Sequence, residues 1–273
     1  MDVSFHTEHL DSVKLLQITD THLFASDEGS LLSVNTADSF NAVVDEIISR
    51  QVEYHLILAT GDISQDHSDV SYQRFVDGIQ PLQKPCLWLP GNHDDQPVMK
   101  TVLACPQITQ PNHVIVGAHW QMILLDSQVF GVPYGHVSPE QLQQMDDILC
   151  QTQDRHTLIL LHHHPLLVGS RWLDQHTLKN SEQFWDVLLK YPHVKGVICG
   201  HVHQVMERDY HGVRVMSTPS TCVQFKPQSD DFALDSVSPG WRELELHPDG
   251  QLTTQVGRLK SGLFLPDFSA HGY

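Results

Sequence analysis

Five apolar runs in this chain end abruptly in side chains that bind metal ions, and that pattern constrains the fold more than any other feature. The run Val13 to Thr19 gives way to Asp20-Thr21-His22, His55 to Thr60 to Gly61-Asp62, and Cys86 to Leu89 to Gly91-Asn92-His93-Asp94. Thr157 to Leu161 leads into His162-His163-His164-Pro165, and Val194 to Cys199 into Gly200-His201-Val202-His203. Such short β-branched or Leu-rich runs alternate with helical periodicities along most of the length, which predicts an α/β layer structure. In an open α/β sheet, side chains just past the carboxyl ends of the strands converge on one crevice. Five strand ends distant in sequence can therefore build a single site.

Between these strands, Ala37, Phe40, Val43, Val44, Ile47 and Ile48 recur with the period of an amphipathic helix, and Tyr72, Phe75, Val76 and Ile79 mark another. Ser138-Pro139-Glu140-Gln141 reads as a helix start, with Ser138 as N-cap, Pro139 in the first turn and Gln141 placed to complete a capping box. That helix should run to about Cys150. A further helix is expected around Phe184 to Leu189, and Val114 to Val116 with Met122 to Leu125 read as paired strands. Val213 to Met216 and Trp241 to Leu246 are strand-like, and Pro248-Asp249-Gly250 marks the turn of a β-hairpin closed by Leu252 to Val256. No repeat, low-complexity tract or linker divides the chain. One domain over residues 1–273 is expected, with 240–273 a C-terminal hairpin and tail, the tail being Pro266 to Tyr273.

Sixteen Lys and Arg against 33 Asp and Glu leave a formal net charge of −17. That balance repels a nucleic-acid backbone or an anionic membrane surface, and no basic run offers a local exception. No apolar stretch approaches the ~18 residues of a membrane span. The start, MDVSFHTEHLDS, lacks the basic beginning and apolar middle of a signal peptide, so a cytoplasmic location is expected. The five cysteines, Cys86, Cys105, Cys150, Cys199 and Cys222, are scattered without a C-x-x-C pair and carry no catalytic weight. Histidine, at 20, is the unusual count, and its placement matters more than its number.

In an extended segment residues i and i+2 point the same way, so Asp20 with His22, or His201 with His203, can reach one cation while the residue between points elsewhere. Either pair alone arises often by chance; together they carry weight. Gly61 lets the backbone turn tightly beside a ligand. Asp62 reads either as a helix cap or as a carboxylate whose two oxygens bridge two cations. Asn92 offers a neutral amide oxygen, and at a glycine-led turn His93 can reach past the metals toward a substrate oxygen. Alternation allows at most two of His162, His163 and His164 to share a face, with one a ligand and the others bonding to backbone or lining the rim. His6, His9, His55, His113, His119, His156, His193 and His247 lack this context and are assigned no role.

The ordered series D-x-H, G-D, G-N-H-D, H-H-x-P and G-H-x-H resembles the calcineurin-like metallophosphoesterase superfamily. Gln17 to Leu23, Leu89 to Asp94, Leu125 to Val132, Trp172 to His176 and Ser217 to Lys226 are similar to segments of its bacterial class III 3′,5′-cyclic AMP phosphodiesterases, a likeness covering nearly the whole chain. The resemblance implies a four-layer α/β/β/α sandwich, the metallo-dependent phosphatase fold, with two metals at one edge. It gives the first metal Asp20, His22, Asp62 and His203, and the second Asp62, Asn92, His162 and His201, with His163 competing for the place of His162. Catalysis would rest on His93 and Asp62, and substrate would lie against His22, Asp62, Asn92, His93 and His203. Carboxylate, amide and imidazole donors without thiolate suit iron, manganese or zinc. The resemblance favours iron, as divalent or mixed-valence ions.

The implied reaction is hydrolysis of 3′,5′-cyclic AMP to 5′-AMP by a metal-bound hydroxide, lowering the cell's cyclic AMP signal, with His93 assisting departure of the ribose 3′-oxygen. A phosphomonoesterase, nucleotide pyrophosphatase or general diesterase would use the same donors. A metal-buffering protein would not need ligands placed singly at five strand ends, and a nuclease would carry the basic patch absent here. The small cyclic nucleotide is the only partner implied.

Overall fold

The computed structural model describes residues 3–4, 7 and 9–272; Met1, Asp2, Phe5, His6, Glu8 and Tyr273 lie outside the described residues, and with them one of the histidines without a role and the last residue of the expected tail. Among the described residues two large sheets carry the fold, beside a two-stranded ribbon of Ser30–Leu31 and Val34–Asn35. In the first, the strands lie in the order Leu252–Arg258, Gly240–Leu246, Val13–Ile18, Leu56–Ala59, Cys86–Trp88, Ile108–Thr109. The last four are parallel, and Gly240–Leu246 pairs antiparallel with both of its neighbours. In the second, Trp120–Leu124, His156–Leu160, Val194–Cys199 and Val213–Ser217 run parallel, flanked by antiparallel His113–Val116 and Met206–Tyr210. Val3–Ser4 pairs on the outer side of His113–Val116.

The strands read as continuous apolar runs because both of their faces are buried. Along Val13–Ile18, Leu16 and Ile18 pack with the Thr36–Ser49 and Asp69–Ile79 helices, while Val13 and Leu15 pack against the other sheet. The same parity sends Ile57 toward the helices and Leu56 and Leu58 between the sheets. In the second sheet Ile159 and Val197 face the Pro139–Gln151 and Ser181–Leu188 helices, and Leu158, Leu160 and Ile198 face inward. Helix, sheet, sheet, helix is thus a four-layer sandwich, as expected.

Gln17 breaks the apolar rule between the sheets. Its amide donates to Thr60 Oγ1 at 2.7 Å and to the Cys199 carbonyl at 3.2 Å, and accepts from the Thr218 hydroxyl. Thr60 and Cys199 each end a strand, in different sheets, so this buried amide pins the two sheets together where the metal-binding motifs begin. One local expectation differs. Ser138 caps its helix by accepting from Gln141 N at 3.2 Å, but the Gln141 side chain does not reach back. Its amide instead bonds both the N–H and the carbonyl of Asp126, at 2.7 and 2.8 Å, just past the end of the Trp120–Leu124 strand. Among the described residues no helix is long and apolar enough to cross a membrane.

Candidate dinuclear metal centre

The carboxyl ends of Val13–Ile18, Leu56–Ala59 and Cys86–Trp88 in one sheet meet those of His156–Leu160 and Val194–Cys199 in the other. The motifs are laced together by backbone: Asp20 N–H donates to Gly61 O at 3.0 Å, His22 N–H to Asp62 O at 2.9 Å and Gly200 N–H to His162 O at 3.1 Å. Asp20 and His22, and His201 and His203, do not converge by extended alternation. Their φ angles are 55°, 46°, 69° and 47°, and that of Asp62 is 51°. Left-handed backbone costs a residue with a Cβ roughly 1–3 kcal/mol and concentrates at functional sites. Here it bends the chain at each donor, wrapping the strand ends around the site.

His203 Nδ1 lies 2.9 Å from the Val223 carbonyl, which can only accept, so Nδ1 carries the ring proton and Nε2 presents a bare lone pair. His22 Nδ1 faces Gln65 Oε1 at 2.6 Å, which fixes the same tautomer. The two Nε2 atoms are nevertheless 3.2 Å apart. Asp20 Oδ1 stands 3.4 Å from His203 Nε2, and Asp62 Oδ2 stands 3.8 Å from His22 Nε2. Acceptors facing one another repel unless a cation lies between them. An ion bound at about 2.0–2.2 Å holds neighbouring donors roughly 3 Å apart, which these separations match.

His162 repeats the device. Its Nδ1 donates to Thr60 O at 2.8 Å, leaving Nε2 to face Asp62 Oδ2 and Asn92 Oδ1, each at 3.2 Å. Asp62 Oδ2 therefore sits between the Nε2 atoms of His22 and His162, while Oδ1 accepts the His93 N–H at 2.8 Å. The sequence reading expected a bridge through two oxygens; the geometry presents one, because the other is held by the neighbouring turn. The His201 ring lies 5.1 Å from that of His162, and His93 5.1 Å from His22. His163 lies 4.9 Å from His162 and 4.7 Å from His201 but turns its Nδ1 to Ser127 Oγ at 2.8 Å. His162 faces Asp62 and Asn92, while His163 lies with His162 and His201 in a group of three imidazoles whose ring nitrogens are within 4.8 Å of one another. All seven expected donors and His93 are brought together.

Burial pulls the His22 imidazole down to about 3. Burial and the surrounding imidazoles hold His163 and His201 well below the ordinary histidine range. His162 is opposite: burial lowers it, but the Asp62 and Asp20 carboxylates and the Thr60 carbonyl together lift it to about 9. Burial works against the Asp62 charge, yet His162 and His93 beside it hold that carboxyl well below its usual range. A carboxylate ionised this firmly among converging imidazoles is the donor chemistry of a cation site.

Several residues of the site had no role in the sequence reading. Asp94, pushed up to about 7 by burial and then by the Asp62 charge, accepts from Gly91 N at 2.9 Å, from Ile63 N and Ser64 N at 3.1 Å, and from the Tyr72 hydroxyl at 3.2 Å. It thereby ties the turn bearing Asp62 to the turn bearing Asn92. Gln65, Val223 and Thr60 set imidazole tautomers through contacts 20 to 102 residues away in sequence, a separation without local signal. Gly91 packs so closely that a Cβ there would collide with Asp62, and one on Gly61, at φ 95°, would meet His162 Nδ1 at 2.5 Å.

Fold and donor set together define a metallo-dependent phosphatase sandwich with a site for two metal ions. The model of the calcineurin-like phosphoesterases matches residues 13–205. The chain belongs to that family. It is 66% identical over 263 residues to the 3′,5′-cyclic adenosine monophosphate phosphodiesterase CpdA of Vibrio vulnificus, covering 96% of each chain. To the protein of the same name from Escherichia coli K12 it is 52% identical, covering 96% of this chain and 95% of that one. A dimetal phosphatase from Danio rerio superposes with a TM-score of 0.63 at 15% identity, over 91% of this chain and 99% of that one, a likeness of fold.

Proposed function

We propose that this chain hydrolyses 3′,5′-cyclic AMP to 5′-AMP, lowering the cell's cyclic AMP signal. The observation that carries the chemistry is Asp62 Oδ2 between the Nε2 atoms of His22 and His162, 3.8 and 3.2 Å away. The substrate rests on the two relatives named for that activity, aligned over 96% of the chain. Asp20, His22, Asp62 and His203 would hold the first ion, and Asp62, Asn92, His162 and His201 the second; these donors suit iron, manganese or zinc, and the family resemblance favours iron. When bound, the ions supply an activated water and neutralise charge on the phosphate.

Protein groups do the rest. The His93 N–H holds one Asp62 oxygen and so leaves the other facing the His22 and His162 rings. The His93 side chain, on the cavity wall beside Asn92 and His201, donates to the departing ribose 3′-oxygen. His22 and His203, together with Asp62, Asn92 and His93, border the phosphate. The net charge of −17 does not oppose an anionic substrate, because the ions dominate the local field. We read residues 1–273 as a single domain, 240–273 being its C-terminal hairpin and tail, working in the cytoplasm. Incubating metal-loaded protein with cyclic AMP, cyclic GMP, p-nitrophenyl phosphate and bis(p-nitrophenyl) phosphate tests the substrate class. Conversion of cyclic AMP to 5′-AMP ahead of the monoester is expected; a preparation active only on the monoester sinks the reading.

A further inference from the structure

A cavity of about 450 Å³ opens directly from the metal centre, with Asn92, His93 and His201 forming one end of it. Its volume lies within the roughly 300–1,000 Å³ of small-molecule sites. The opposite wall is of another character. Val132, Pro133, Trp172, Leu173 and Phe232 line it, and among the described residues His176 is its one polar side chain outside the expected metal and catalytic set and no Lys or Arg lines the cavity. Resting on the function proposed above, the geometry points to this wall as the subsite for the purine base, with Trp172 as its stacking platform.

The argument is one of connected positions. A cyclic nucleotide ties phosphate, ribose and base into one short rigid unit, so a phosphate at the ions forces the base into the space adjoining them. That space lacks a cation for a second phosphate, which disfavours nucleoside di- and triphosphates, and it presents an apolar and aromatic surface to a flat, uncharged ring. Trp172 is half-buried and held rigidly. Phe225 and Phe232 stand across it at 81° and 67°, with ring centroids 5.0 and 5.1 Å away. Phe225 in turn stacks on His203 at 4.3 Å, with the rings 14° from parallel. One aromatic chain therefore connects an expected metal ligand to the platform and fixes the distance between phosphate and base.

The test uses the metal-loaded protein, measuring cyclic AMP turnover together with inhibition by orthophosphate, which reaches only the ions, and by adenosine, which carries the base without the phosphate. Trp172→Ala is expected to raise the KM for cyclic AMP about tenfold or more and to weaken adenosine by a similar factor. Metal content and orthophosphate inhibition should stay as in the unaltered protein, and Trp172→Phe should restore most of the loss. Val132→Phe, which obstructs the same cavity from a loop, should weaken cyclic AMP and adenosine but not orthophosphate, and serves if Trp172→Ala does not fold. Adenosine that fails to bind the unaltered protein, or variants that weaken orthophosphate as much as adenosine, would overturn the subsite. Loaded protein that binds adenosine but leaves cyclic AMP intact would support the subsite and overturn the proposed reaction.

Discussion

Asp62 and His93 sit side by side yet carry separable roles. One Asp62 oxygen faces the two imidazole sets, and the other is held by the His93 backbone rather than by its ring. Removing the His93 side chain therefore leaves the Asp62 tether intact, because the tether is a main-chain N–H. Asp62→Ala is expected to abolish turnover and to reduce bound metal, read by elemental analysis. His93→Ala should retain its metal and lose about 10²- to 10⁴-fold in kcat, the usual contribution of a positioned acid. Full turnover in the His93 variant, or full metal content in the Asp62 variant, would contradict these roles. At this scale the candidate donors stand out in the sequence, since each lies in a short Asp- or His-bearing motif at the end of an apolar run. Their backbone does not. Left-handed φ at Asp20, His22, Asp62, His201 and His203 is imposed by hydrogen bonds between motifs, and no residue type announces it.

Elements show where pattern suffices. Strands buried on both faces and helices with a full apolar stripe were readable, and Val194–Cys199 has the bounds that were expected. The Gln96–Val102 helix and the Met206–Tyr210 strand were not foreseen. The first buries only Met99 and so has no periodic stripe, and the second is an edge strand whose middle residues are exposed. Junctions between elements are where stability and site diverge. Ser138→Ala removes a cap at the start of a helix that contributes nothing to the metal centre, and should cost about 1 kcal/mol in thermal or denaturant unfolding with metal content and turnover unchanged. Gly91→Ala instead drives a methyl group into Asp62. It should cost roughly 1–3 kcal/mol and also lower bound metal, because the strain falls on the shared carboxylate. Equal metal content in both variants would show that the close approach at Gly91 is not needed.

Across the whole molecule, the centre makes stability depend on pH in a way that reveals whether it holds metal. In metal-free protein His162, raised to about 9, is charged in the fold at pH values where the unfolded chain, near 6.5, has lost its proton. Its stabilisation is complete below pH 6.5 and disappears as pH rises through 9. His22, His163, His164 and His201 are lowered, chiefly by burial, so the unfolded chain binds their protons first and stability falls as pH drops below 6.5. Asp94, kept protonated up to about 7 mainly by burial, opposes that acid limb, since its raised pKa favours the fold at low pH. Asp126, raised by burial, acts with it, but the lowered histidines outnumber the two, His55, His156, His176 and His193 adding to the four. Chelated protein should therefore be most stable near pH 6.5, falling by up to about 1.4 kcal/mol per pH unit for each proton involved, more steeply on the acid side. Metal binding displaces the His162 proton, because only a neutral imidazole can coordinate. The alkaline limb should vanish on loading, while the melting temperature rises by mass action. Melting curves from pH 5 to 9.5, with and without chelator, measure both. If the chelated protein keeps a flat melting temperature between pH 6.5 and 9, or the loaded protein falls with it, then His162 is not the proton-bearing member of the centre and the assignment of the second ion's ligands fails with it.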